Sequence, residues 1–308
     1  MSVDWLIPAI LTIVTAATPL VFAAVGETVV EKAGVLNLGV EGMMIMGAIA
    51  AFATAVSTGS GFLAVIAGAG AGLLLALIFG VLTVYFQSNQ VATGLALTIF
   101  GLGLSALIGN SYVGKTFEGL AKLDIPGLSD IPVIGPLIFG HDGLVYFSVI
   151  SVIIVAWFLN RTRAGLLVRA VGENHDAAHS IGYSVTLVRM GAILFGGAMA
   201  GVGGAYLSIA YTPLWVENMT AGRGWIALAL VVFASWKPWR GFLGAYLFGG
   251  ITIIQLYAQG MGVEVSAQFL SMLPYLATIL VLVVISRDSA KARVNAPACL
   301  GKNFHVSV

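Results

Sequence analysis

The fold is decided by residues 42–114, which read GMMIMGAIAAFATAVSTGSGFLAVIAGAGAGLLLALIFGVLTVYFQSNQVATGLALTIFGLGLSALIGNSYVG and contain no Asp, Glu, Lys or Arg. A transmembrane helix needs about 20 mostly apolar residues, so this stretch has room for three membrane spans. Backbone in lipid must satisfy its own hydrogen bonds, and apolar runs this continuous fit helices better than the alternating strands of a membrane barrel. We therefore predict an integral membrane protein built from helices.

The composition of the whole chain agrees with this prediction. Of the 308 residues 59% are hydrophobic and 9% are charged, whereas a soluble domain carries about 25% charged residues. A soluble enzyme is excluded, and we expect no catalytic residue and no cofactor. The net charge of +1 gives no support for a nucleic-acid partner. The lone Cys299 excludes a disulfide framework and a multi-cysteine metal site.

Further apolar stretches cover 5–25, 143–160, 190–216, 224–236, 241–263 and 265–286. Together with the central run they predict an all-α polytopic transmembrane helix bundle of about nine spans, with eight to ten allowed. Because 224–236 is too short to cross alone, we predict a broken or re-entrant segment there, completed by part of 213–224. The predicted transmembrane domain covers 1–286, and a tail covers 287–308.

The distribution of basic residues predicts the orientation. With the N-terminus outside, the inner segments contain eleven Lys and Arg residues and the outer segments three. This bias is typical of cytoplasmic loops, so we predict an outside N-terminus and a cytoplasmic C-terminus. The tail after Arg287 is polar and basic, and we expect a solvated, partly disordered end near anionic lipid.

One motif is misleading. Residues Gly109 to Thr116 match the phosphate-binding pattern G-x-x-x-x-G-K-T. Such a loop needs a preceding strand and a following helix, whereas here a membrane helix precedes and a Pro-containing loop follows. We therefore exclude a nucleotide site there and predict that 109–143 is an outer loop able to touch an external partner.

The inner loop 160–189 contains a predicted short helix. Glu173, Asn174 and Asp176 supply a capping residue and acids for a first turn, and Gly182 stands where a helix terminator belongs. A short amphipathic helix can dock into a groove of a soluble partner, and an ordinary positive-inside loop is the alternative. His175 and His179 are spaced i, i+4 but lack a third ligand, so we predict no metal site.

Two polar clusters, 27–42 and 211–225, adjoin membrane spans. Ionisable groups near apolar spans are functional candidates, and two Gly-interrupted segments in corresponding halves point to a solute pathway. We assign the pathway to Asn37, Glu41, Asn89 and Glu217. The alternative is a pair of interfacial loops with aromatic anchors such as Trp215 and Trp225.

Four motifs resemble the permease subunits of ABC importers. They are GVLNLGVEG at 34–42, SNQVATGLAL at 88–97, the loop 161–182, and AGRGWIALA at 221–229 with GFLGA at 241–245. The most similar branch takes up nucleosides, and relatives carry simple sugars or branched-chain amino acids. The resemblance covers roughly residues 10–286, and the tail 295–308 departs from it.

This resemblance implies a transport subunit of the bacterial inner membrane that hydrolyses nothing itself. Its implied partners are a second permease subunit, identical or different, two cytoplasmic ATP-binding subunits, an external solute-binding protein and membrane lipid. By the same resemblance the coupling helix falls around Glu173 to Gly182. The residues expected to couple transport to the ATPase are Arg163, Arg169, Glu173, Asn174, Asp176, Ala177, Ala178 and Gly182.

Two other classes of membrane protein are weighed against this one. A secondary transporter driven by an ion gradient needs a carboxylate buried in a span, and only Glu41 and its neighbours could serve. A scaffold or passive pore does not need a helix in the inner loop. We therefore predict the permease subunit of an ABC importer for a small polar solute, with a nucleoside preferred over a simple sugar or a branched-chain amino acid.

Overall fold

A computed structural model describes residues 6–123, 126–127, 131, 135–260, 266, 268–269, 272–273, 276–277, 279–280, 283 and 295–305. The described chain contains α1 (Leu6–Lys32), α2 (Val40–Thr58), α3 (Gly61–Gly80), α4 (Gln90–Gly109), α5 (Gly143–Arg161), α6 (Arg163–Glu173), α7 (His175–Ser180), α8 (Val185–Tyr206), α9 (Arg223–Phe233) and α10 (Pro238–Gly260). π-Helical turns prolong α3 through Val81–Tyr85 and α8 through Leu207–Tyr211. These parts of the chain contain no β-strand, so the all-helical class is confirmed for them.

Seven helices of the described part are long and apolar enough to cross a membrane. They are α1, α2, α3, α4, α5, α8 and α10, so the predicted count of about nine is not confirmed. The predicted last span, 265–286, falls largely outside the described residues. With 11 residues α9 is too short to cross alone, because a helix rises about 1.5 Å per residue.

Helix α8 lies at the centre of the bundle and packs against α1, α2 and α3. The packing uses the glycines whose helical spacing predicts close helix contact. A Cβ atom added at Gly72 would overlap the backbone of Gly197 and Gly201, and one at Gly201 would overlap the backbone of Gly68. Lipid supplies no hydrophobic force between helices, so close van der Waals approach of backbones holds these spans together. These glycines therefore allow α3 and α8 to pack closely.

The short helix predicted in the inner loop is α7. Asn174 caps it, and its side-chain oxygen accepts a hydrogen bond from the Ala177 amide at 2.9 Å. Asp176 lies in the first turn, and Gly182 adopts a φ of +92° shortly after the helix ends. Glu173, however, is the last residue of a separate helix, α6, which Thr162 caps.

The expectation of a solvated tail is wrong for residues 295–305. The Cys299 amide donates to the Gly172 carbonyl at 2.9 Å, and the Gly301 amide donates to the Gly34 carbonyl at 3.2 Å. Phe304 packs against the core formed by Val171, Ala178 and Val185. The segment is ordered because its backbone donors have acceptors and its apolar side chains are buried. The rest of the predicted tail, 287–294 and 306–308, lies outside the described residues.

Candidate functional site

Several spans end or begin at one end of the bundle, which we call the α6 end. Lys32 ends α1 and Arg161 ends α5 there, while Val185 begins α8 and Pro238 begins α10. The Lys32 carbonyl abuts Gly172 of α6, and the Arg189 side chain of α8 reaches the Ala33 carbonyl at 3.3 Å. The opposite end of the bundle is called the far end.

The connection 33–39 between α1 and α2 is non-helical and is largely buried in the protein. The Leu36 amide donates to Gln90 Oε1 at 2.8 Å, and the Gly39 amide donates to Asn37 Oδ1 at 3.0 Å. Asn37 approaches the Glu27 carboxylate, which lies more than one helical turn before the end of α1. The connection therefore folds back along α1. Irregular backbone at this depth is tolerated because protein groups satisfy its donors.

Glu41 joins the two polar clusters that the sequence singles out. Its Oε1 accepts hydrogen bonds from Thr220 Oγ1 at 2.6 Å and from the Gly222 amide at 2.8 Å. Its Oε2 accepts a hydrogen bond from the Gly224 amide at 2.6 Å. The side chain is 2% exposed. A buried carboxylate is stable here because the amides of a helix N-terminus attract negative charge. Glu41 thus anchors the start of α9 to the start of α2.

A second buried carboxylate holds the other end of α9. Glu31 Oε2 accepts a hydrogen bond from Trp236 Nε1 at 2.6 Å. The turn that brings Trp236 there places Ser235 and Trp236 at positive φ values, 50° and 56°. Such backbone is unusual for residues other than glycine and persists only where the surrounding contacts hold it. This contact was not predicted from the sequence. The signals for it were an acid, Glu31, at the end of an apolar span and a tryptophan, Trp236, just after the short apolar segment.

Glu27 is also buried, one helical turn before Glu31. Its carboxylate approaches Asn37 without a hydrogen bond of standard geometry, and neither oxygen has a partner among the residues that the structure describes. Buried carboxylates on neighbouring turns of α1 repel one another when both are charged. Two buried acids of α1, Glu27 and Glu31, therefore lie close to the irregular connection.

A cavity of about 340 Å³ lies between α1, α9 and α10. Its polar lining comes from Arg223, Thr252 and Gln255, and its aromatic lining from Tyr211 and Phe248. The Arg223 guanidinium lies 5.8 Å from the centre of the Tyr211 ring, a cation–π distance. Pockets for small ligands have volumes of about 300–1,000 Å³ with a few polar groups in an apolar wall. The cavity therefore has the size and chemistry to hold a small polar solute.

The four residues predicted to form the solute pathway do not converge on this cavity. Asn37 and Glu41 are buried, do not line the cavity and accept hydrogen bonds from backbone amides. Asn89 caps α4 by accepting a hydrogen bond from the Ala92 amide at 2.9 Å, while Glu217 is exposed in the segment before α9. Gln90 and Thr98 of α4, which were not predicted from the sequence, reach the α1–α2 connection through the Leu36 amide and the Leu38 carbonyl.

Most of the predicted coupling residues form an exposed surface at the α6 end. Arg163, Glu173, Asn174, Asp176, Ala177 and Gly182 are exposed, and Arg169 is half-buried. Ala178 is 3% exposed and packs against Val171 and Val185, so it faces the core of the protein. Ile181 and Tyr183 add apolar area to the exposed surface, being 73% and 49% exposed. Tyr183 is an addition that the sequence analysis missed.

A buried arginine holds α7 in place. Arg189 Nη2 donates to His175 Nδ1 at 3.0 Å, and Nη1 donates to the Lys302 carbonyl at 2.9 Å. The Phe304 ring lies 5.3 Å from the His175 ring and 5.2 Å from the His179 ring. Burial, and then the charge of Arg189, lower the pKa of His175, which keeps the ring neutral and able to accept. No group of three metal-ligating side chains occurs in the described part of the chain.

Comparison with known proteins identifies relatives along most of the chain. The family described as branched-chain amino acid transport system / permease component matches residues 9–285. A putative glucose ABC transporter permease protein of Haloferax volcanii is 37% identical over 95% of each chain. The nucleoside ABC transporter permease protein NupC of Lactococcus lactis is 33% identical over 86% of this chain and 88% of its own.

A third relative has a similar extent. The guanosine ABC transporter permease protein NupQ of Bacillus subtilis is 32% identical over 93% of this chain and 94% of its own. No solved structure matches the chain. The relatives therefore share the permease description but differ in the solute that their names give.

Proposed function

The chain belongs to the family of branched-chain amino acid transport system permease components, and from that premise we propose that it is the membrane-spanning subunit of an ABC importer for nucleosides. Its partners in this proposal are ATP-binding subunits at the α6 end, a second permease subunit, and an external binding protein at the far end. The observation that carries the proposal is α7, a short helix held firmly from inside with its outer face exposed.

The contacts of α7 suit a coupling element. Arg189, Phe304 and the buried Ala178 hold its inner face, so motion at its outer face is transmitted to α8 and to the α1–α2 connection. The outer face offers acids, an amide and apolar groups over a small area, as docking at a groove requires. This geometry supports a role in transmitting nucleotide-driven motion to the membrane spans.

The alanine pair on α7 allows a matched test. Ala177→Trp enlarges the exposed face, and we expect solute-stimulated ATP hydrolysis by the reconstituted importer to fall about tenfold or more, because a bulky ring breaks a small docking contact. The melting temperature of the complex stays unchanged, since Ala177 has no core contact. Ala178→Trp instead overpacks the Val171 and Val185 core and lowers the melting temperature. Normal stimulated hydrolysis in Ala177→Trp, with Ala177→Ser as control, would contradict the assignment.

A nucleoside is favoured as solute by the cavity between α1, α9 and α10. Arg223, Thr252 and Gln255 supply hydrogen bonds for hydroxyl and ring atoms, and Tyr211 and Phe248 supply aromatic faces for a base. Two relatives are named for nucleosides or guanosine, and one for glucose. In this proposal Asn37 and Glu41 position α9 beside the cavity, Glu217 lies in the segment that borders it, and Asn89 acts at the start of α4.

Uptake by the complete importer distinguishes the candidate solutes. We expect labelled nucleoside uptake to compete with excess unlabelled nucleosides and to resist excess glucose, ribose and leucine, because a sugar or an amino acid lacks the base. Phe248→Ala should reduce the maximal uptake rate, whereas Phe147→Ala, an exposed α5 residue away from the cavity, should leave it unchanged. Full competition by glucose would assign the chain to sugar uptake instead.

A further inference from the structure

A second cavity, of about 480 Å³, lies at the α6 end between the last turns of α1 and α5, helix α6 and the start of α10. Four cationic side chains line it: Lys32, Arg169, Lys237 and Arg240. No acidic side chain lines this cavity. An adjoining cavity of about 340 Å³ shares Lys32 and Arg169 and adds one acid, Glu173. The lining as a whole keeps a strong excess of positive charge.

None of these cations forms an ion pair with an acid in the part of the chain that the structure describes, where the one ion pair joins His175 and Asp176. The Arg169 Nε atom is buried and has no hydrogen-bond partner there. Lys32 Nζ donates to the Asn295 carbonyl at 2.8 Å and lies within electrostatic range of two cations, Arg169 and Lys237, and of one acid, Glu173. A buried donor without a partner costs free energy, and like charges repel. An anion in the cavity would remove both costs.

The position of the cavity indicates where that anion comes from. Lys32 ends α1, Asn160 lies one residue before the end of α5, and Pro238 begins α10, so the cavity lies at the level where these spans leave the hydrocarbon. Trp239 lines it and is 49% exposed, as expected of an aromatic residue at a membrane interface. Ala156 and Leu159, two buried residues of α5, give it an apolar wall.

We propose that this cavity binds the phosphate headgroup of an anionic phospholipid. The phosphate oxygens accept charge-assisted hydrogen bonds from Arg169 and Arg240, and Lys32 and Lys237 add positive charge. The apolar wall from α5 and the exposed Trp239 suit the glycerol and the start of the acyl chains. A free phosphate ion gains nothing from contact with an apolar wall, whereas the glycerol and acyl chains of a lipid do. The wall therefore favours a lipid as the occupant. The bound lipid would tie α6 and α10 to the end of α1.

Binding is tested on the purified, delipidated importer complex in neutral detergent by native mass spectrometry. The probes are phosphatidylglycerol and phosphatidylcholine, added separately. We expect one tightly bound phosphatidylglycerol per copy of this chain and at least about tenfold weaker binding of phosphatidylcholine. Arg169→Gln and Arg240→Gln should each weaken phosphatidylglycerol binding about fivefold, since each removes one cation. Arg240 is exposed, so its variant folds normally.

Arg161→Gln is the matched control, because Arg161 is an exposed arginine of the same end that does not line the cavity. It should leave phosphatidylglycerol binding unchanged. Equal loss in Arg161→Gln and Arg240→Gln, or equal binding of the two lipids, would overturn the proposal in favour of general surface attraction. Absence of lipid from the full complex would overturn it in favour of an acidic group of the ATP-binding subunit.

Two further experiments test whether free phosphate or a carboxylate of the chain itself, in place of a lipid, supplies the anion. Inorganic phosphate should fail to displace phosphatidylglycerol, and complete displacement would identify a free-phosphate site instead. Asp288, which precedes Asn295 in the sequence and lies outside the described residues, is the nearest acid along the chain. Asp288→Asn should leave lipid binding unchanged. A tenfold gain in Asp288→Asn would show that the chain's own carboxylate fills the cavity and would overturn the lipid assignment.

Discussion

Glu41 connects the two polar clusters, 27–42 and 211–225, through hydrogen bonds of its buried side chain. Its carboxylate accepts three hydrogen bonds from the segment 220–224, two of them from backbone amides at the start of α9. A mid-membrane carboxylate suggests an ion relay when the sequence is considered alone. Its partners are instead a hydroxyl and a helix N-terminus, so the geometry favours an anchor over a relay.

Removing that anchor should destabilise the permease. In Glu41→Ala the Thr220 hydroxyl and the amides of Gly222 and Gly224 lose their acceptor, and each unsatisfied buried group costs about 1–3 kcal/mol. We expect a clear fall in the melting temperature of the purified complex and faster hydrogen exchange in α9. Glu41→Gln should cause a smaller fall in the melting temperature. Its amide nitrogen replaces one carboxylate oxygen and cannot accept a hydrogen bond, while the remaining oxygen still can. Glu217→Gln, at an exposed acid, serves as control, and a Glu41→Ala melting temperature equal to that of Glu217→Gln would exclude the anchor.

At the scale of elements, α7 and the segment 295–305 form one unit. Arg189 binds His175 on one side and the Lys302 carbonyl on the other, and Phe304 covers both histidines of α7. A helix of 6 residues has too few internal hydrogen bonds to be stable alone. Its order therefore depends on these contacts with other elements.

The stability of the packing of α7 against Arg189 should depend on pH. The pKa of His175 is lowered in the folded protein, mainly by burial and then by Arg189, relative to about 6.5 in the unfolded chain. Protonation is therefore easier in the unfolded chain, so the stabilising contact is complete above pH 6.5 and weakens as pH falls from there towards the folded pKa. We expect the protection factors of the α7 amides, which are corrected for the intrinsic pH dependence of hydrogen exchange, to fall on acidification through this window.

Two variants control this experiment. His175→Gln removes the titrating ring and should flatten the pH dependence, while His179→Gln, at an exposed histidine without the Arg189 contact, should retain it. Phe304→Ala should accelerate exchange at every pH because it removes the apolar cover. Identical pH profiles in the wild type and in His175→Gln would refute the role of His175.

At the scale of the whole molecule, the two ends of the bundle differ in charge and in exposed structure. The α6 end contains the exposed surface proposed for coupling, the cation-lined cavity and the segment 295–305. The cavity proposed for the solute lies between α1, α9 and α10 and away from the α6 end, since Ala16 and Leu20, near the middle of α1, line it. This separation suits an importer that receives solute at one end and energy at the other.

The orientation of these ends is a prediction that cysteine labelling can check. In a Cys299→Ala background, single cysteines are placed at Val113, exposed at the far end, and at Ser180, exposed at the α6 end. The eleven-to-three bias of basic residues predicts that position 113 reacts with a membrane-impermeant reagent in intact cells and that position 180 reacts only after permeabilisation. Labelling of position 180 in intact cells would reverse the threading.

Sequence alone predicts the helical membrane class, close contact at the glycines of α3 and α8, and the short helix α7. Each of these depends on local information: apolar length, glycine spacing, and a cap followed by a terminator. Sequence analysis also brought out Glu41 and the segment 211–225 as polar clusters beside membrane spans. It could not show that they meet, because nothing in a single sequence pairs residues that lie some 180 positions apart.

The three-dimensional packing shows what those polar groups do. It placed Glu41 and Glu31 at the two ends of α9, gave Asn89 to the cap of α4, and turned Ala178 towards the core. It also replaced the expected solvated tail with a segment packed on α7. The physical reason is common to all of them: a buried polar or apolar group takes its role from the partner that satisfies it, and here that partner comes from a distant part of the chain.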